Sequence, residues 1–360
     1  MKTVKLGLIG CGGVTIWAHV PVSKQFKNVE VVAVCDVIKE RAEKAAKDLN
    51  AKHIFTDYKE LLALDEIEMV DICTPNYLHS VIAIDALQAG KHVFCEKPDA
   101  ITVDQVIAMK TTAEQTGKHL MIMRNNRFTP GSQYAKSFIE AGKCGEIYAG
   151  RCGWIRRRGI PGKGGWFTTK ELSGGGPLID LGVHMLDLAI WMMGNPTPVT
   201  VSGSIYNKFA SNTAKADSMH AGFGERNDSG VFDVEDLAMG MIRFDNGACL
   251  QVECSWASNI EEEVNFVELR GDKAGLSWHF DDLTIFTEES DTLTDIRPVI
   301  ERGPRADITG HLECLRHFIY EVLIDGKEPM FKPIQGVNMV KVLTALYESA
   351  KLGKEISLVD

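Results

Sequence analysis

The sequence predicts an α/β protein: a doubly wound parallel sheet first, then an α/β domain with a large, open, mostly antiparallel sheet. Three observations carry this. Apolar, β-rich runs alternate with amphipathic helical patterns up to residue 123, the signature of parallel strands with crossover helices. A glycine turn, Gly10-Cys11-Gly12-Gly13, joins the first run to the first helix. Beyond residue 198, strand follows strand, with hairpin chemistry such as Asp245-Asn246-Gly247.

A chain of 360 residues exceeds one ordinary core. Two domains are expected, a nucleotide-binding one over 1–124 and a substrate-binding one over 125–360, with the closing helices free to pack back on the first. Hydrophobic residues make up 45% and charged residues 24%, the balance of a globular protein. The net charge of −10 argues against nucleic acid or an anionic membrane as partner. Arg156-Arg157-Arg158 is too short a basic cluster to reverse that. No apolar run reaches the roughly 20 residues of a membrane span. The opening residues run straight into the glycine turn and read as a strand rather than a leader. The nine cysteines are scattered, several within apolar strands (Cys35, Cys73, Cys95), with no Cys-x-x-Cys spacing. They read as reduced core thiols of a cytoplasmic protein, with no metal site.

In chain order, strands are expected at Val4–Ile9, Val29–Cys35, Met69–Cys73, His92–Cys95 and His119–Met123. Helices are expected at Lys39–Leu49, Asp57–Leu64, Leu78–Ala89 and Val103–Thr116, the last opened by the capping box Thr102-Val103-Asp104-Gln105. Gly10, Gly12, Gly13 and Val14 would let the backbone approach a pyrophosphate at a helix N-terminus. Asp36, ending the second strand, would accept hydrogen bonds from adenosine ribose hydroxyls and repel a 2′-phosphate. With Val37 and Ile38 after it, NAD is favoured over NADP. Thr15 replaces the usual third small residue and is expected to loosen helix–sheet packing. Thr74, Pro75 and Asn76 fall at the ligand edge of the next strand, where they either touch the nicotinamide ribose or cap a helix. His79 reads as a packing or capping residue on the cofactor side. The strand Val93–Cys95 ends on Glu96-Lys97-Pro98, where proline forces a turn and sets the Lys97 ammonium at the ligand edge.

Past Met123 the alternation stops. A helix is expected to about Ala141, then a strand from Ile147 to Arg158 in which Trp154, Arg156 and Arg158 share one face. With Trp166 these form either a platform for a sugar ring or a salt-bridged sheet face, and Arg127 carries the same ambiguity. Pro177 to Met193 is a helix by its proline start and Gly194 end. Asp180 and His184 share its face, and Asp187 lies one turn further. Such a polar stripe on an apolar helix is costly unless used or satisfied, as by an ordinary helical salt bridge. Strands follow at Val199–Tyr206, Glu235–Phe244, Ala248–Ala257 and Val264–Leu269. Phe209 to Gly230 reads as a long loop, an oligomer or substrate edge. Helices near Thr309–Leu323 and Ile334–Ala350 close the chain.

Together Gly10–Gly13, Cys73-Thr74-Pro75-Asn76, Glu96-Lys97-Pro98 and the run from Gly174 to His184 resemble the glucose–fructose oxidoreductase/inositol dehydrogenase/rhizopine-catabolism (Gfo/Idh/MocA) family, over nearly the whole chain. The resemblance implies a Rossmann domain, an open-sheet domain that forms homodimers or homotetramers, and NAD(P)-dependent chemistry on a sugar, glycoside or polyol. It puts Lys97, Asp180 and His184 on the family's catalytic positions, with Glu96 as support, and implies a cis Lys97–Pro98 bond. The Trp154-to-Gly162 and Trp166-Phe167 pattern looks like members that oxidise a ring hydroxyl, with C3 as the expected carbon. His184 suits proton transfer near neutral pH. Lys97 suits holding a developing alkoxide, and a desolvated Lys97 is the alternative base. Other readings remain: an inositol or polyol dehydrogenase, a glycosidase that oxidises transiently with retained NAD, and a non-enzymatic NAD-binding sensor.

Overall fold

A computed structural model describes residues 2–211, 222, 224, 226–301 and 306–359. The chain divides into two compact units, residues 1–125 with 306–340, and 126–305 with 341–360. The first therefore takes in residues 306–340 as well as the expected 1–124.

In the first unit the strands are β1 (Val4–Ile9), β2 (Val29–Cys35), β3 (His53–Phe55), β4 (Met69–Ile72), β5 (His92–Cys95) and β6 (Leu120–Ile122). They form one parallel sheet in the order β3-β2-β1-β4-β5-β6, the doubly wound order whose ligand edge lies beyond the strand carboxyl ends. Ile9 pairs with Cys35 and with Ile72, Ile72 with Cys95, and Cys95 with Ile122. Four strands thus stop level with β1, so Gly10, Asp36, Cys73 and Glu96 emerge along one edge. β3 is too short to show in the sequence pattern.

The crossovers are α1 (Val20–Ser23), preceded by a wide turn over Thr15–His19, then α2 (Lys39–Leu49), α3 (Tyr58–Leu62), α4 (Asn76–Gln88) and α5 (Val103–Thr116). Thr102 caps α5 by accepting the Gln105 N–H, as its spacing predicts. Gly117 ends it in the left-handed region. All but two of the strand residues of β1, β4, β5 and β6 are buried, which fits a sheet covered on both faces.

The second unit holds α6 (Pro130–Glu140), β7 (Ile147–Ile155), a short α7 (Lys170–Ser173), and α8 (Val183–Met192), which continues a wider turn over Leu178–Gly182. Strands β8 (Pro198–Tyr206), β9 (Leu237–Phe244), β10 (Cys249–Ser255), β11 (Val264–Gly271), β12 (Gly275–His279), β13 (Asp282–Glu289), β14 (Thr292–Ile296) and β15 (Ile356–Ser357) complete, with β7, a nine-stranded sheet. Every pairing in it is antiparallel except β7 with β10. β7 stops at Ile155, short of the expected Arg158, which returns only as an isolated bridge to Ala257. The expected loop at Phe209–Gly230 lies in good part outside the described residues.

The later hairpins turn on Phe280-Asp281 (φ 45° and 72°) and Ser290-Asp291 (φ 53° and 60°). Two successive left-handed residues suit a tight hairpin, but neither pair contains glycine, so the sequence hid these strands. Two helices close the chain: α9 (Thr309–Arg316), running on into His317–Ile324 in the first unit, and α10 (Pro333–Leu352). Among the described residues no helix is long and apolar enough to cross a membrane.

Candidate active site

The glycine turn is built as its residue types require. Gly10 sits at φ +92°, and a Cβ there would lie 2.6 Å from the Cys73 carbonyl oxygen. Gly12 faces open space. Asp36 holds the turn from the next strand: Cys11 N–H donates to its Oδ2 at 2.7 Å and Ile38 N–H to its Oδ1 at 2.8 Å. Thr15 is buried and donates to the Gly10 carbonyl at 2.7 Å, so it ties the first helix to the turn instead of loosening it. Val14 is half-buried and Gly13 exposed at the start of that helix.

Thr74, Pro75 and Asn76 stand at the carboxyl end of β4, Pro75 taking the cap position of α4. The Thr74 Oγ1 is buried and has no hydrogen-bond partner among the described residues. A buried hydroxyl left unpaired is costly, so a bound dinucleotide at this edge fits the residues present. Gly10, Gly12, Gly13, Val14 and Asp36 are the groups that would hold it. His79 is buried, its Nδ1 and Nε2 each 2.8 Å from a carbonyl oxygen, those of Pro98 and Thr74. It braces the turn from beneath, the packing role its sequence context suggests. Arg41, unremarked in the sequence, is close enough for its charge to act on the Cys11 thiol.

Lys97 lies two residues past the end of β5, half-buried, with a cis bond to Pro98. Its charge is felt by His79, Glu96 and His311. Glu96 points inward. Its Oε1 lies 2.8 Å from His19 Nε2, and its Oε2 accepts the Lys97 N–H at 3.1 Å. His19 Nδ1 in turn lies 2.7 Å from Asp71 Oδ2. His19, Asp71 and Glu96 are each at most 5% exposed. Burial acts against the His19 charge, but the Asp71 and Cys73 side chains hold its pKa well above the usual value. Burial likewise acts to raise Glu96, and the hydrogen bond from His19 overcomes it, leaving the carboxyl far below its ordinary range. The fold brings the ligand-type side chains of His19, Asp71 and Cys73 together. They are already joined by hydrogen bonds. The sequence signal was Asp71 itself, a charge inside the buried run Met69–Ile72, which requires a partner.

In the second unit the helix start is fixed by Glu235, missed in the sequence. This buried carboxylate accepts the N–H groups of Gly176 (3.0 Å) and Leu178 (3.1 Å) and the Tyr347 hydroxyl (2.9 Å). A Cβ on Gly175 would lie 1.9 Å from that hydroxyl, and one on Gly176 2.1 Å from the Glu235 carbonyl oxygen, which explains the glycine cluster. From Gly175 through Ala189 only Asp180 and His184 remain partly accessible. Asp180 Oδ2 accepts the Trp256 indole N–H at 3.0 Å. The His184 ring lies 6.1 Å from that of Trp154.

Asp187 does not join this pair. It is buried and bound two-pronged by Arg127, Nε to Oδ2 at 2.7 Å and Nη2 to Oδ1 at 2.6 Å. Arg127, expected as a substrate contact, is therefore employed inside the fold, at 1% exposure. Arg156 is corrected in the same way. It lies past the end of β7, buried, donating to the Gly159 carbonyl at 3.0 Å, with its guanidinium 5.3 Å from the centre of the Trp154 ring. Trp154 stays partly accessible and donates to Glu263 Oε1 at 2.7 Å. Arg156 thus backs the Trp154 plate. Arg158 donates to the carbonyls of Arg157 and Ser258 and to Asn259. Trp166 stacks on Phe167 at 3.9 Å, and Phe167 packs on the cluster of Leu181, Val234 and Trp256.

A parallel sheet in this order, with a glycine turn clasped by an acidic strand end, defines a dinucleotide-binding protein. Residues 4–124 match the model of the oxidoreductase family with an NAD-binding Rossmann fold, and 132–277 that of the GFO/IDH/MocA C-terminal domain. The chain is 35% identical to D-glucoside 3-dehydrogenase of Escherichia coli, over 99% of this chain and 97% of that one. It is 29% identical to levoglucosan dehydrogenase of Pseudarthrobacter phenanthrenivorans, over 78% and 75%. An oxidoreductase domain protein from Kribbella flavida shares the fold over all of both chains, with a TM-score of 0.87 at 24% identity. The chain belongs to the GFO/IDH/MocA family of NAD-binding oxidoreductases.

Proposed function

We propose that this chain is an NAD-dependent dehydrogenase that oxidises a ring hydroxyl of a pyranoside, at C3, to the ketone. The observation that carries the reading is the accessibility along one helix. Asp180 and His184 alone stay open in a stretch where every other residue is buried, and an aromatic plate lies beside the imidazole. Bound NAD+ supplies the hydride acceptor. His184 takes the hydroxyl proton as the C–H bond breaks, since an imidazole titrates near neutral pH. Asp180 orients that ring and stabilises the imidazolium. Lys97 stabilises charge developing on the substrate oxygen, and the partly accessible Trp154 ring suits the apolar face of a sugar ring. The 35% identity to a D-glucoside 3-dehydrogenase supports a glucoside and C3. A homodimer or homotetramer formed through the open sheet accompanies this reading.

The test is a panel of methyl glucosides, free sugars, inositols and aryl glycosides, followed for NADH formation and for aglycone release. Stoichiometric NADH with a glucoside, and no aglycone, is the expected result. Aglycone without NADH would assign the glycosidase reading instead, inositol turnover the polyol reading, and no turnover the sensor reading.

Coenzyme choice follows from Asp36. Its oxygens already clasp Cys11 and Ile38, and a 2′-phosphate beside them meets a carboxylate. Replacing Asp36 with serine is expected to weaken NAD+ binding by about tenfold or more and to narrow the preference over NADP+. Fluorescence titration of both coenzymes measures it. Tighter NADP+ binding by the unaltered protein would show instead that Arg41 pairs with the phosphate.

A further inference from the structure

Trp256 is the largest wholly buried side chain among the described residues. It follows β10, and its backbone N–H donates to the Asp236 carbonyl at 2.9 Å. Its ring fills the core with Leu181 and Val234, with Trp154, Ile160, Phe167 and Phe232 packed around. Core filling alone needs no nitrogen. An indole has one donor and no acceptor, so its N–H has one use, and here that use is Asp180 Oδ2 at 3.0 Å. The helix carries a second acid, Asp187, and the contrast is informative. Asp187 is neutralised by a buried guanidinium and closed off. Asp180 receives a neutral donor and keeps access. The Arg156 guanidinium, which feels the Asp180 charge, is buried and donates to the Gly159 carbonyl. A neutral donor fixes a carboxylate's orientation and favours its ionised form without cancelling its charge. An acid that must stabilise an imidazolium needs that combination.

We infer that Trp256 is a positioning residue: its indole N–H sets the Asp180 carboxylate in the orientation that the reaction uses. The inference rests on the role given to Asp180 above. Phenylalanine at 256 keeps an aromatic ring and removes the donor.

The experiment is a double-mutant cycle on single-turnover NADH formation from NAD+ and methyl β-D-glucoside, with Trp256→Phe, Asp180→Asn and both together. W256F is expected to slow hydride transfer about tenfold with the KM for NAD+ unchanged. In the D180N background the same change should add less than about twofold, because the two residues act as one unit. Equal losses in both backgrounds would reduce Trp256 to core packing and overturn the inference, as would a W256F enzyme with full activity beside an impaired D180N. A fully active D180N enzyme would remove the role of Asp180, and with it the mechanism proposed above. A second readout needs no substrate and no folded W256F. In protein carrying ¹⁵N-tryptophan, Asp180→Ala should move one indole N–H resonance of the six tryptophans. Six unmoved resonances would rule out the bond.

Discussion

Replacing His184 with alanine is expected to slow hydride transfer by about 10²–10⁴-fold, the usual range for losing a general base. NAD+ affinity should stay unchanged, because the groups assigned to the dinucleotide are the glycine turn and Asp36. The pH profile separates its role from that of Lys97. A base must be deprotonated to act, so the rate should climb with pH to a plateau through the imidazole range. In H184A that limb should vanish. Lys97→Met should keep the limb and lower the plateau, as expected of a group that stabilises charge. Single-turnover stopped flow over the pH range measures both. If H184A keeps the wild-type rate while K97M loses the limb, Lys97 is the base.

Replacing His19 with alanine is expected to destabilise the first unit by about 3–5 kcal/mol, the cost of leaving buried charge uncompensated. Asp71 and Glu96 would both lose their partner, and Glu96 adjoins Lys97, so NAD+ binding should weaken as well. The dependence on pH has a definite sign. The folded pKa of His19 is raised, so its contribution is complete below the unfolded value of about 6.5 and is lost as pH rises through the folded one. The folded pKa of Glu96 is depressed, so its contribution is present above about 4.3 and is lost as pH falls through the folded value. The gap in unfolding midpoint between wild type and His19→Gln should therefore be widest between about pH 4.5 and 6.5 and narrow in alkali. Urea unfolding across that range tests it. A gap that widens in alkali would mean that His19 is neutral in the fold.

The first sheet, the short β3 apart, was legible because each of its signals has a local cause. A glycine at positive φ, a proline after a strand and a threonine cap act within a few residues. β12 to β14 were not, because Phe280-Asp281 and Ser290-Asp291 enter the left-handed region without glycine. Asp180 and His184 were visible as a stripe, but the sequence left Arg127 and Arg156 open between a substrate contact and a buried ion pair. Which arginine or acid is spent on a buried partner is decided by tertiary contacts. Arg127 found Asp187, and Arg156 was left inside because β7 stops at Ile155. Trp256, Glu235 and His19 escaped notice because they act on residues 76, 59 and 77 positions away.

The most direct test of the dehydrogenase reading is to mix the protein with NAD+ and methyl β-D-glucoside deuterated at C3. A deuterated NADH, formed more slowly than with the unlabelled sugar and matched by a 3-keto glucoside, is the predicted result. NADH without deuterium would move the oxidation to another carbon, and methanol release without any NADH would contradict net oxidation altogether.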